Sequence, residues 1–137
     1  MVAWLFPGQG SQYVGMCKGL YESCASIRDN LELSGRLLGF DMVDIMQNGP
    51  EEVLTLTQNA QPAILAHSIA ISDLLSDYGS RPNIVAGLSL GEFSALVVAG
   101  SLSYSDALRL VRLRGLAMQE AISPGEGTMA AIVGLPE

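Results

Sequence analysis

The stretch that most constrains this chain is Gly87-Leu88-Ser89-Leu90-Gly91, a serine held between two glycines. Ile84, Val85 and Ala86 before it are apolar and read as a short buried strand, while Phe93, Leu96 and Val97 after it are apolar at helical spacing. Gly-x-Ser-x-Gly between a strand and a helix is the pattern of a nucleophile elbow. A turn that sharp strains the serine backbone and leaves no room for a Cβ at either flanking position. The hydroxyl then stands at a helix N-terminus, where unpaired N–H groups and the helix dipole favour a developing negative charge. The donor expected for an oxyanion is the backbone N–H of the next residue, Leu90. The same five residues also suit an ordinary loop that happens to carry a serine, so the rest of the chain must decide.

At 137 residues the chain amounts to one domain or part of a larger one. An apolar fraction of 49% with only 15% charged residues implies a well-buried α/β core rather than disorder. A net charge of −7 lacks the basic footprint that nucleic acid requires, and it offers no attraction to an anionic membrane. No leader pattern and no apolar run of membrane-spanning length is visible, so the expected location is cytoplasmic. Cys17 and Cys24 are the only cysteines and lack the paired ligands of a zinc site; reduced thiols and no metal are expected.

Residues 2–6 read as a buried strand running into Pro7-Gly8-Gln9-Gly10-Ser11-Gln12. There, two glycines let backbone and an amide side chain approach a ligand closely. Phosphate binding fits poorly, because neither Gly-x-Gly-x-x-Gly nor a Walker lysine is present. Ile27, Leu31, Leu37 and Leu38 suggest one amphipathic helix over 21–38, ended near Gly39. A short helical turn over 41–46 follows, then a helix opened by Pro50 and running to Leu56. Residues 57–61 read as polar linker, and Pro62 as the start of a long helix to about Tyr78, stopped by Gly79. His67, the only histidine, falls among Ile64, Ile71 and Leu74 and reads as a packed helix residue rather than a base for Ser89.

Ser103 with Asp106 forms a capping box that starts a helix reaching about Ile122. On it Ser105, Arg109, Arg112, Gln119 and Glu120 read as a solvated face. Arg114 does not join them: at about 100° per residue it falls with Ala107, Leu110, Ala117, Met118 and Ala121 on the apolar side. A guanidinium aimed inward requires an anion. That anion is either an internal carboxylate such as Glu92 or the carboxylate of a ligand, which the planar fork can grip at two points. After a Pro/Gly loop over 123–127, residues 128–133 read as a strand.

Four stretches in this order resemble the malonyl-CoA:acyl carrier protein transacylases and the acyltransferase domains of polyketide and fatty acid synthases. They are Phe6-Pro7-Gly8-Gln9-Gly10-Ser11-Gln12, Gln61-Pro62-Ala63, Gly87-Leu88-Ser89-Leu90-Gly91-Glu92, and Arg112-Leu113-Arg114-Gly115 with Met118-Gln119. The likeness covers the whole chain but roughly the first half of the family's usual length. It implies an α/β fold: an incomplete α/β-hydrolase-like subdomain over 1–126 with a short parallel sheet and flanking helices, and the start of a ferredoxin-like subdomain over 127–137. It also implies Ser89 as nucleophile, Gln9 and Leu90 as the oxyanion hole, and Arg114 holding the free carboxylate of a malonyl group. Gln61, Gly8 and Gly10 would line the substrate.

The implied reaction carries the acyl group from malonyl-CoA through an acyl-serine to the phosphopantetheine thiol of an acyl carrier protein, with no other cofactor. Leu88 stands where the family usually has histidine, and the family's catalytic histidine lies beyond residue 137. A companion chain or C-terminal remainder is therefore expected, as is carrier docking there or on local cations such as Arg109 and Arg112. A serine thioesterase or esterase on the same elbow, and a non-catalytic acyltransferase-like binding module, are the competing readings.

Overall fold

A computed structural model describes residues 1–121 together with Gly127 and Gly134. The expected strand over 128–133, and with it the start of a second subdomain, lies outside the described residues.

Two short strands, β1 (Ala3–Phe6) and β2 (Ile84–Gly87), pair in parallel with Ala3 opposite Ile84 and Phe6 opposite Gly87. Parallel strands need a long crossover, and the helices α1 (Lys18–Ser23), α2 (Ala25–Leu38), α3 (Met42–Asn48), α4 (Glu51–Thr55) and α5 (Thr57–Asp77) supply it. Then α6 (Gly91–Val98) leaves β2 directly, and α7 (Tyr104–Ala121) closes the described chain. Register has a functional consequence here. Because Phe6 and Gly87 are partners, the Pro7–Gly10 turn and the Ser89 turn emerge side by side at the carboxyl ends of the strands, where open α/β sheets place their ligands.

The core lies around α5. Ala63, Ile64, Leu65, Ala66, Ile69 and Ala70 are all buried, meeting Ile27 and Leu31 of α2, Met42 and Met46 of α3, Leu54 of α4, and Leu108 and Val111 of α7. Residues apolar on every side make a helix that is central rather than amphipathic. No helix among the described residues is long and apolar enough to cross a membrane. Cys17 and Cys24 are free thiols, and burial, followed by the neighbouring Cys24, pushes Cys17 up to about 11.

Several expectations are corrected. The helix expected over 21–38 is two helices, broken at Cys24, whose extended backbone (φ −126°, ψ 111°) interrupts the ladder. The strands are not buried: only Phe6 in β1 is, and Ile84 is half exposed. Two strands alone cannot be covered on every side.

The polar 57–61 linker is instead the first turn of α5, with Pro62 inside the helix. Proline has no N–H, so it removes the donor that the carbonyl four residues earlier would receive. That carbonyl belongs to Gln58, and it accepts from Arg112 Nη1 at 2.6 Å. A side chain from α7 thus replaces the lost helical bond. Arg112, expected on the solvated face, is turned inward for this reason. It also donates to Asn59 Oδ1 at 2.6 Å and lies 4.6 Å from the Phe40 ring centre.

Helix α7 can come this close because residue 115 is glycine: a Cβ there would stand 2.6 Å from Gln58 Cα and 2.8 Å from Thr57 O. Gly115→Ala therefore forces backbone apart, and we expect it to lower stability by about 1–3 kcal/mol despite alanine's higher helix propensity. Urea unfolding of the purified protein, compared with wild type, measures it.

Candidate active site

Ser89 has φ +52°, a left-handed conformation uncommon outside glycine, on the turn between β2 and α6. Its neighbours explain how the chain tolerates this. A Cβ at Gly87 would overlap the Gly91 carbonyl group, and one at Gly91 would overlap the Phe6 carbonyl group. Both glycines are needed so that α6 can start against β1 and β2. The turn is tied down by Leu88 N–H donating to Phe6 O at 3.1 Å and Glu92 N–H donating to Ser89 O at 3.2 Å. The neighbouring turn is equally tight, since a Cβ at Gly8 would lie 2.8 Å from Leu88 O.

Arg114 faces this serine. Its Nη2 donates to Ser89 Oγ at 3.0 Å and its Nη1 to Gln61 Oε1 at 2.8 Å. Gln61 is wholly buried, and its Nε2 donates to Gln9 Oε1 at 3.4 Å and to Met118 Sδ at 3.2 Å. Gln9 Nε2 in turn reaches Thr57 Oγ1 at 3.2 Å. One chain of hydrogen bonds therefore runs from Thr57 through Gln9, Gln61 and Arg114 to Ser89. The amide of Gln61 is the hinge of that chain, since one end accepts from a cation and the other donates to a neutral oxygen.

No carboxylate pairs with Arg114 among the described residues; the salt bridges there are Arg36–Glu32 and Arg109–Asp106. The internal pair with Glu92 is absent. A guanidinium held by an amide and a hydroxyl keeps its full charge for a visiting anion.

The other sequence-derived positions divide. The backbone N–H groups of Leu90 and Gln9 donate to no other group among the described residues, whereas the Gly10 N–H is taken by Gln12 Oε1 at 2.8 Å. Gly8 serves the approach of the two turns, and its carbonyl accepts from Ser11 Oγ at 2.9 Å. For Gly8 and Gly10 the geometry thus gives a turn-forming role.

His67 does not join the hydrogen-bond chain of this site. It lines a cavity of about 380 Å³ with Trp4, Phe6 and Ile71 and makes no hydrogen bond to Ser89. Among the described residues no group of three or more His, Cys, Asp or Glu could hold a metal ion. Arg112 is the residue whose place sequence reasoning missed. The signal was Pro62: a proline one turn inside a helix announces a carbonyl in need of a donor.

The chain as a whole is similar to known proteins. The acyl transferase domain family matches residues 3–135. The chain belongs to that family. It is 48% identical to the malonyl CoA-acyl carrier protein transacylase of Bacillus subtilis strain 168 over 134 residues, covering 98% of this chain and 42% of that protein. Among solved structures, the acyl-carrier-protein-S-malonyltransferase of Bartonella henselae aligns with a TM-score of 0.90 at 47% identity, covering 100% of this chain and 45% of that one. A malonyl-transacylase in complex with its type II PKS acyl-carrier protein aligns with a TM-score of 0.86 at 44% identity, covering 90% and 40%. The chain spans less than half the length of these relatives. The expected α/β acyltransferase fold, with its short parallel sheet and flanking helices, agrees with these structures.

Two measurements test the local physics. At φ +52° a β-carbon is costly, so Ser89→Gly should be more stable than Ser89→Ala by about 1 kcal/mol; paired urea melts decide it. Burial also holds the His67 imidazole below its ordinary value. The unfolded chain therefore takes up the proton first, and stability present above pH 6.5 is lost as pH falls below it. His67→Gln should flatten the dependence of unfolding midpoint on pH between pH 7 and 5.5.

Proposed function

We propose that this chain supplies the nucleophile-bearing part of a malonyl-CoA:acyl carrier protein transacylase. The observation that carries the reading is the Arg114 guanidinium 3.0 Å from Ser89 Oγ with no carboxylate partner among the described residues. A hydrolase acting on simple esters has no use for a cation at its nucleophile, whereas a malonyl thioester brings a free carboxylate that needs one. The family membership and the transacylase relatives support the same substrate class.

In the first half-reaction Ser89 Oγ attacks the thioester carbonyl and its proton passes to a general base. The tetrahedral oxyanion is received by the free N–H groups of Leu90 and Gln9, in a position where such donors typically contribute about 100-fold or more. Collapse breaks the C–S bond, the coenzyme A sulfur takes the proton, and malonyl remains as an ester on Ser89. In the second half-reaction the phosphopantetheine thiol of the carrier protein attacks that ester and Ser89 recovers its proton. Throughout, Arg114 grips the malonyl carboxylate, with Gln61 fixing the plane of the fork. No cofactor beyond the thioester itself is required.

His67 makes no hydrogen bond to Ser89, so we assign the general base to a C-terminal remainder or companion chain. The carrier partner is supported by the malonyl-transacylase relative captured with its acyl-carrier protein. The two reduced thiols suit a cytoplasmic protein. Of the surface cations suggested for carrier docking, Arg109 is exposed and pairs with Asp106 at the surface, whereas Arg112 is committed internally.

Incubating the protein, supplemented with the C-terminal part of the fold, with malonyl-CoA should give a malonyl adduct that peptide mass spectrometry maps to Ser89. No adduct would leave the binding-module reading. Arg114→Ala should cut malonyl loading by about 100-fold, as expected for losing hydrogen bonds to a charged group, while leaving hydrolysis of an uncharged ester intact. Equal loss of both would remove the support for a carboxylate clamp.

A further inference from the structure

The geometry points to Arg112 as a positioning residue for acyl selectivity, acting on Arg114 through the first turn of α5. This rests on the transacylase reading above and deepens it. Three α7 residues on one helical stripe hold residues 57–59. Arg112 donates to Gln58 O and Asn59 Oδ1, Gly115 lies against Gln58 and Thr57, and Gln119 Oε1 accepts from Thr57 N–H at 3.3 Å. Asn59 is itself buried, and its Nδ2 donates to Val53 O at 2.8 Å. The clamp is thereby tied to α4 as well. Phe40 of the loop between α2 and α3 covers the Arg112 guanidinium.

The site sits one turn further along α5, at Gln61, and within the clamp on α7, where Arg114 lies between Arg112 and Gly115. Thr57 also holds Gln9, and Gln61, one turn on from Thr57, holds Arg114. Any shift of the first α5 turn is therefore transmitted to both amides that orient the guanidinium. Such a shift is easy without Arg112, because Pro62 provides no N–H to Gln58 O and that helical bond cannot form. The two arginines divide the work: Arg114 meets the substrate, and Arg112 fixes the spacing of the elements that aim Arg114. A misplacement of about 1 Å in such an arrangement is worth up to 100-fold.

The test uses the full-length protein with malonyl-CoA and acetyl-CoA as acyl donors to Ser89. Arg112→Met keeps length and the contact with Phe40 but has no donor. We expect KM for malonyl-CoA to rise about tenfold with kcat little changed, and acetyl loading to stay level, so the malonyl-to-acetyl ratio falls about tenfold. Arg112→Lys should restore part of the ratio. In the Arg112→Met background, Pro62→Ala returns an N–H to Gln58 O and should restore it further. Should Arg112→Met fold poorly, Arg112→Lys and the double variant carry the measurement.

Equal loss of malonyl and acetyl loading at unchanged KM would make Arg112 a merely structural residue and overturn the proposal. An unchanged ratio in all three variants would do the same. Wild-type protein that loads no malonyl at all would instead overturn the transacylase reading itself, which separates the two failures.

Discussion

The site depends on how closely the elbow can approach the sheet. Helix α6 starts so near β1 that the Cβ of any residue at position 91 would overlap the Phe6 carbonyl group, and the return of the chain past Gly87 is equally tight. This approach leaves Ser89 in a left-handed conformation with its hydroxyl lifted from the turn. It also brings the Pro7–Gly10 turn against Leu88, so that two unpaired backbone N–H groups belong to adjacent turns. Relaxing the approach by a single methyl would displace Ser89 and the Leu90 and Gln9 N–H groups together. The cost of a strained serine is offset by burial elsewhere, notably of Leu90, which is fully enclosed immediately after it.

The second feature is that both inward-facing arginines are held by neutral groups. Arg112 meets a carbonyl, an amide oxygen and an aromatic face; Arg114 meets an amide oxygen and a hydroxyl. Neutral acceptors orient a guanidinium without cancelling its charge. At Arg112 this serves structure, because the carbonyl it satisfies would otherwise be an unmet acceptor beside a proline. At Arg114 it leaves the charge directed at the place where an acyl group on Ser89 would end. A carboxylate in the position of Gln61 would have paired with Arg114 and cancelled that charge.

Much of this was legible in the sequence because it rests on local rules. Glycine spacing gave the elbow, and the serine–aspartate pair gave the start of α7, where Asp106 N–H does donate to Ser103 Oγ at 3.1 Å. Helical periodicity separated Arg114 from Arg109. Yet the face carrying Arg114 is no simple core side: Leu110 and Ala117 on it are exposed, and the guanidinium turns toward a cleft. What stayed hidden was set by tertiary contacts. Residues 57–61 look like linker because Thr57, Asn59 and Gln61 are polar, but each of these side chains meets a partner elsewhere in the fold. Arg112 looks solvated for the same reason, since its acceptors are 53 and 54 positions away in the chain. Periodicity cannot register a partner so distant.

Exposed apolar side chains next to Ser89 and Arg114 in the chain bear on the environment of these two groups. Leu88 is 73% exposed next to Ser89, and Leu113 is 64% exposed next to Arg114. A guanidinium–carboxylate contact gains strength as water is excluded from it, and an acyl-serine survives only if water is kept from its carbonyl. The described residues bring together Ser89, the Arg114 cation and the Leu90 and Gln9 N–H groups, but they leave these apolar side chains facing solvent. Residues that covered Leu88 and Leu113 would raise the local value of the Arg114 charge and shield the ester at once.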